Sequence, residues 1–107
     1  MINENDNLAN DIQIKPIVRK IRKKFNPIKI ILFGSWAHGT PGKGSDIDLL
    51  IVMNTDVPVK HQAFMIRREI SSSIPVDIIV RTPMQIDERI RMGDTFIKKA
   101  YEKGVEL

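Results

Sequence analysis

Two aspartates, Asp46 and Asp48, are separated by one residue and follow a Gly-Ser pair, Gly34 and Ser35, by ten residues. Because side chains alternate along a strand, both carboxylates are predicted to lie on one side of a strand that starts near Ile47. At a separation of about 4 Å and an effective dielectric constant of about 20, two carboxylates repel each other by roughly 4 kcal/mol. A hard divalent cation removes this repulsion, and Mg²⁺ favours carboxylates together with phosphate oxygens.

The Gly-Ser pair follows a short β-branched apolar run, Ile28 to Phe33, at a point where a helix could begin. Glycine lets a phosphate approach the backbone, and free N–H groups and the Ser35 hydroxyl at a helix start can donate to it. Each feature alone is weak, since acidic pairs at strand ends are often solvated and Gly-Ser is common after strands. Together, a phosphate-binding bend and a pair of carboxylates favour phosphoryl transfer.

The elements that position these residues are predicted from periodicity and turn residues. Apolar residues at helical spacing predict a first helix from near Lys15 to Phe25, ended by Asn26-Pro27. Three short apolar runs predict strands, over 28–33, 47–53 and 76–80. Helices are predicted over 60–72, from 83 onward with Thr82 as N-cap, and around 96–101, followed by an edge strand at 105–107. This order indicates the α/β (α+β) class, with one small mixed sheet of three to four strands covered by helices.

Composition sets the limits within which these elements fold. The 107 residues are 42% hydrophobic and 28% charged, which is typical of one globular domain and excludes a disordered chain. A polar lead-in is predicted over 1–13 and the domain over 14–107. The sequence has no cysteine, which excludes disulfides and thiolate chemistry. No apolar run is long enough for a signal peptide or membrane span, so we expect a soluble cytoplasmic protein. The net charge of +4 suggests an anionic partner without choosing one.

One motif resembles the signature of the DNA polymerase beta-like nucleotidyltransferase superfamily: the Gly34-Ser35 pair is followed, after ten residues, by Asp46-Ile47-Asp48. The short chain resembles its minimal members (MNT), which are antitoxin-type nucleotidyltransferases, and the order of elements agrees from about residue 16 to 107. The resemblance implies a third acidic residue on the next core strand. Asp77 is the candidate, because it is the only polar residue among 76–80, where a buried carboxylate without a partner would be unfavourable. The alternative is a solvated residue at the start of the strand, directly after Pro75.

The resemblance implies a transfer of AMP from ATP to an acceptor hydroxyl, with two Mg²⁺ ions. The implied catalytic and metal-binding residues are Asp46, Asp48 and Asp77, and the implied nucleotide-binding residues are Gly34, Ser35 and Ser45. Because the sequence carries little beyond the predicted core, much of the acceptor recognition is expected to come from a partner. The resemblance implies that this partner is a HEPN-domain toxin. Self-association is a further option. Where minimal members often carry an arginine after the Gly-Ser pair, this chain has Trp36 and His38, and histidine is fully charged only below neutral pH.

Two other functions fit parts of the sequence. A catalytically silent antitoxin would act on its partner by contact alone, although the intact aspartates argue against it. A basic nucleic-acid-binding module would use the cationic face of the first helix, but this face has no aromatic residues for base stacking. The cations of that face are Lys15, Arg19, Lys20, Arg22, Lys23 and Lys24.

Overall fold

The structure is a computed structural model that describes residues 12–38 and 44–107. Four α-helices, four strands and one 3-10 turn lie wholly within these ranges. The helices are α1 (Lys15–Phe25), α2 (Val59–Glu69), α3 (Pro83–Arg91) and α4 (Thr95–Lys103). The strands are β1 (Lys29–Phe33), β2 (Ile47–Val52), β3 (Val76–Arg81) and β4 (Val105–Glu106). The 3-10 turn is Ser35–His38.

The four strands form one mixed sheet in the order β3-β2-β1-β4. The central strands β1 and β2 are antiparallel, β2 and β3 are parallel through the crossover that carries α2, and β4 pairs antiparallel with β1. This arrangement confirms the predicted fold class and the predicted edge strand near the C-terminal residues. No helix in the described ranges is long and apolar enough to cross a membrane.

Helices cover both faces of the sheet. On one face, apolar residues of α1 and α2, such as Ile21 and Ile66, pack against Leu32 and Leu49. On the other face, α3 and α4 pack against the alternate strand residues, including Leu50. Because successive strand residues point to opposite faces, this division fixes which face each polar residue of a strand joins.

Local signals in the sequence explain most element boundaries. α1 ends at Asn26, whose left-handed backbone (φ 46°) closes the helix, and Pro27 follows. α3 begins with a capping box, in which the Thr82 hydroxyl accepts from the Gln85 N–H and the Gln85 side chain accepts from the Thr82 N–H. α2 ends at Glu69, three residues earlier than predicted, because Ile70 adopts an extended backbone and buries its side chain.

Candidate active site

Three residues at matching register form a row across the strand ends next to the Gly-Ser pair. Asp48 of β2 is the register partner of Asp77 in β3 and of Phe33 in β1. By strand alternation with Leu50, all three belong to the face that α3 and α4 cover. Since neighbouring strands lie about 4.8 Å apart, the two carboxylates on this row are direct neighbours.

The surroundings of Asp48 disfavour the ionised form of its carboxyl group. Its side chain is half-buried, and this burial is the main reason why the pKa of the Asp48 carboxyl lies above its usual value. The negative charges of Asp77 and Asp46 raise this pKa further, as does a hydrogen bond with Asp77. Within the described ranges, none of the three aspartates forms a salt bridge. Among the described residues, these neighbouring carboxylates therefore have no cation within salt-bridge distance to offset their repulsion.

Asp46 lies immediately before β2 rather than within it. The strand begins at Ile47, whose N–H donates to the Pro75 carbonyl oxygen at 2.9 Å and so aligns β2 with the start of β3. Asp46 is near enough to raise the pKa of Asp48, but the described part of the chain contains no group of three acidic, histidine or cysteine residues placed to hold a metal ion. The structure thus brings Asp48 and Asp77 together, with Asp46 adjacent to this pair.

The donor chemistry of Asp48 and Asp77 nevertheless fits Mg²⁺. This ion is usually bound by one or two carboxylates and completes its coordination with water and substrate phosphates, rather than with an all-protein cage. These two carboxylates share one face, have no salt bridge among the described residues, and include one whose ionised form is disfavoured. Such an ion would neutralise ligands of this kind.

Of the two interpretations of the environment of Asp77, the structure agrees with the solvated one, because its side chain is exposed. β3 is an edge strand of the sheet, and Asp77 is its second residue, directly after the turn at Pro75. Water can therefore solvate this carboxylate, and burial of the residue gives no reason to assign it to a metal site. The assignment of Asp77 to the candidate site therefore rests on its position opposite Asp48.

Gly34 makes the bend after β1 and leaves space for Asp48. Its backbone is left-handed (φ 77°), a conformation that side chains disfavour. A Cβ atom at this position would overlap the Asp48 Oδ2 atom and lie 3.3 Å from its Cγ atom. The chain then enters a single 3-10 turn at Ser35, where the Ala37 N–H donates to the Gly34 carbonyl oxygen at 3.1 Å, rather than the helix that was considered at this point.

Trp36 joins this bend to the approach to β2. Its ring is buried, and its indole Nε1–H donates to the Ser45 carbonyl oxygen at 3.3 Å. Trp36 therefore acts in packing, and Ser45 is half-buried beside it. The glycine-rich loop between them, residues 39–43, lies outside the described residues.

Sequence reasoning missed a cleft on the other side of Gly34. The cleft has a volume of about 320 Å³ and lies between the end of β1 and α4. Phe33 and Phe96 meet edge to face on its wall, with ring centroids 5.6 Å apart. Lys99 and Lys103 also line it, and their spacing of four residues was the signal in the sequence that could have indicated a shared helix face.

The cationic face of α1 is exposed, as predicted, but two of its residues have partners elsewhere in the fold. Lys24 forms a salt bridge with Glu69 of α2 at 2.7 Å, and the Arg22 guanidinium donates to the Leu107 carbonyl oxygen. These contacts tie α1 to α2 and to the C-terminal residue. They give part of this face a structural role.

Comparisons with known proteins agree with this geometry. A family model described as a nucleotidyltransferase domain matches residues 13–106. A Methanocaldococcus jannaschii protein, assigned by name as a protein adenylyltransferase, is 28% identical over 102 residues, which cover 90% of this chain and 100% of that protein. The crystal structure of a Sulfolobus solfataricus protein, assigned by name as a nucleotidyltransferase, matches with a TM-score of 0.59 and 28% identity, over 78% of this chain and 77% of that chain.

Proposed function

The chain belongs to the nucleotidyltransferase domain family, and on this basis we propose that it is a Mg²⁺-dependent protein adenylyltransferase that moves AMP from ATP to an acceptor hydroxyl. Family membership makes it a nucleotidyltransferase of the minimal type. The choice of adenylyl transfer to a protein is supported by the name of the M. jannaschii relative, which this chain matches over its full length.

One observation carries the proposal: the neighbouring carboxylates of Asp48 and Asp77, which have no salt bridge among the described residues, lie beside the Gly34 bend. Asp46 and Asp48 would hold Mg²⁺ on the triphosphate, and Asp77 would hold a second ion. Gly34 and the residues that follow it would anchor the β- and γ-phosphates through backbone N–H groups and hydroxyls. When bound, the magnesium ions would supply neutralisation of phosphate charge.

The chain's own residues would then position the reacting groups. An acceptor hydroxyl placed beside Asp77 attacks the α-phosphorus, a new P–O bond forms, and the bond from the α-phosphorus to the bridging oxygen of pyrophosphate breaks. The exposed Asp77 carboxylate is accessible to an acceptor and can take the hydroxyl proton. Pyrophosphate leaves with the electron pair of the broken bond. Positioning and charge neutralisation are the main contributions of the protein in this class of reaction.

For the acceptor, we propose a hydroxyl side chain on a HEPN-domain toxin, so that adenylylation neutralises the toxin and the chain is the antitoxin of the pair. The resemblance to minimal family members supports this partner, and such a pair would act in the cytoplasm. The edge position of Asp77 supports a macromolecular acceptor, because this side of the sheet is open to an approaching protein surface.

Transfer of label from ATP tests the proposal. The purified chain is incubated with α-³²P-labelled ATP, Mg²⁺ and its HEPN-domain partner, beside the Asp48→Asn variant and the matched Asp56→Asn variant, which changes an exposed loop aspartate. The expected result is label on the partner with wild type and Asp56→Asn, and a loss of at least about 100-fold with Asp48→Asn. Partner neutralisation without label would contradict the proposal and favour an antitoxin that acts by contact.

A further inference from the structure

The cleft between β1 and α4 is continuous with the site through Gly34, which lines it. Among the described residues, its lining includes three side chains that are cationic or can become so, His38, Lys99 and Lys103, and no carboxylate. The remaining lining residues are apolar. The cleft therefore combines an apolar wall with concentrated positive charge.

The charges of this face are divided by the Gly34 bend. Along the row of strand ends, Asp77 and Asp48 come first, Phe33 follows, and the ring of Phe33 contacts Phe96 of α4. Negative charge thus lies on one side of the bend and positive charge on the other. A ligand that spans the bend would have to offer a bound cation to the first side and anionic groups to the second.

Packing of α4 places the two lysines on this side of the bend. Ala100 and Ile97 of α4 are buried against the sheet, so the helix presents Lys99 and Lys103, which are exposed and four residues apart, along one flank of its packed face. Within the described ranges, neither lysine forms a salt bridge. Lys103 also lies in the last helical turn, where a cation is favoured by the helix dipole, but this effect does not account for Lys99.

We propose that Lys99 and Lys103 bind the β- and γ-phosphates of the nucleoside triphosphate and then the pyrophosphate that leaves. This inference rests on the proposed nucleotidyl transfer, and it assigns phosphate-binding cations to α4. When the bond between the α-phosphorus and the bridging oxygen breaks, negative charge develops on that oxygen. The two ammonium groups stabilise this charge, so α4 contributes to departure of pyrophosphate as well as to binding.

Binding measurements separate this role from a general effect of charge. Isothermal titration calorimetry with Mg²⁺ is carried out with tripolyphosphate, a non-hydrolysable ATP analogue and AMP. The test variant is Lys99→Ala/Lys103→Ala, and the matched control is Lys23→Ala/Lys98→Ala, which removes the same two charges at exposed positions outside the cleft. A Lys99→Arg/Lys103→Arg variant keeps the charge, and thermal melts check that each variant folds.

The expected result is that the test variant binds tripolyphosphate and the ATP analogue about tenfold more weakly, while its AMP affinity stays within about twofold of wild type. The control variant changes all three affinities by less than about twofold, and the arginine variant recovers most of the loss. Wild-type affinity should also fall more steeply with salt than that of the test variant.

Three outcomes would overturn the inference. Equal losses in the test and control variants would indicate only a general field, and unchanged tripolyphosphate binding in the test variant would remove the lysines from the phosphate site. A loss of AMP affinity as large as the loss for tripolyphosphate would place the nucleoside in the cleft. If wild type binds no triphosphate at all, the proposed function itself fails, which is a distinguishable result.

Discussion

Replacement of Asp48 by asparagine should stabilise the fold while it abolishes the proposed activity. Asp48 is half-buried beside Asp77, and both carboxylates lack a salt bridge within the described ranges. An asparagine of almost the same shape removes one negative charge, and its amide can donate a hydrogen bond to the Asp77 carboxylate. When a residue serves binding rather than stability, its replacement is expected to raise stability and to lower activity.

The size of the effect follows from the separation of the charges. For two carboxylates about 5 Å apart, the repulsion is about 3 kcal/mol at an effective dielectric constant of 20 and about 1 kcal/mol in water. Because Asp77 is exposed, the lower value is the better guide. We therefore expect Asp48→Asn to raise the free energy of unfolding by about 1 kcal/mol at pH 7.5.

The gain should depend on pH. Burial and the neighbouring acids raise the pKa of Asp48 above 3.8, so its ionised form is disfavoured in the folded protein relative to the unfolded chain. Protonation as the pH falls through this raised pKa stabilises wild type until the unfolded carboxyl titrates near 3.8. The advantage of Asp48→Asn is therefore full at pH 7.5 and should have largely disappeared at pH 4.

Urea denaturation at both pH values measures this difference, with Asp56→Asn as the control for loss of one exposed charge. Addition of Mg²⁺ at pH 7.5 should narrow the gap, because the ion stabilises wild type and not the variant. If Asp48→Asn is less stable than wild type at pH 7.5, the carboxylate has a stabilising partner and the account of an uncompensated pair is refuted.

Substitutions at two glycines and at Thr82 test how the backbone positions the site and caps α3. Gly34→Ala and Gly44→Ala should each lower the free energy of unfolding by about 1–2 kcal/mol, since both glycines have positive φ. Only Gly34→Ala should abolish label transfer, because its methyl group displaces the Asp48 carboxylate, whereas no described atom lies within 4 Å of a Cβ at Gly44. Equal label transfer by the two variants would contradict this reasoning. Thr82→Ala should lower the free energy of unfolding by about 1 kcal/mol through loss of the capping box, with label transfer unchanged and Thr82→Ser close to wild type in the same urea titration.

Most of the fold was predictable because local signals and burial agreed along the chain. The apolar runs of β1 and β2 are buried on both faces, so they read as continuous hydrophobic segments. The capping box at Thr82 and the stop at Asn26-Pro27 are determined by neighbouring residues alone. Where a boundary was missed, at the end of α2, the cause was burial of Ile70, which depends on tertiary packing that the local sequence does not reveal.

The site was harder to predict because it depends on strand order. The motif placed Asp48 beside the Gly-Ser bend, but whether Asp77 is central or at an edge follows from the order β3-β2-β1-β4, which periodicity does not specify. For the same reason the sequence could not decide between a buried and a solvated Asp77. Lys99 and Lys103 are far from the motif along the chain, and only the packing of α4 on β1 brings them to Gly34.

The conformation of Gly34 connects the stability and the chemistry of this site. A positive φ turns the chain away from β1, and the missing side chain lets the backbone lie against the Asp48 carboxylate. The same bend lines the cleft that holds Lys99 and Lys103. A larger residue would therefore disturb the acidic side directly and change the wall shared with the basic side.

If a triphosphate bridges the two sides, Gly34→Ala should weaken tripolyphosphate binding even in the Asp48→Asn background, in which the carboxylate pair is already lost. If binding in that background is unaffected by the alanine, the two sides act as separate sites.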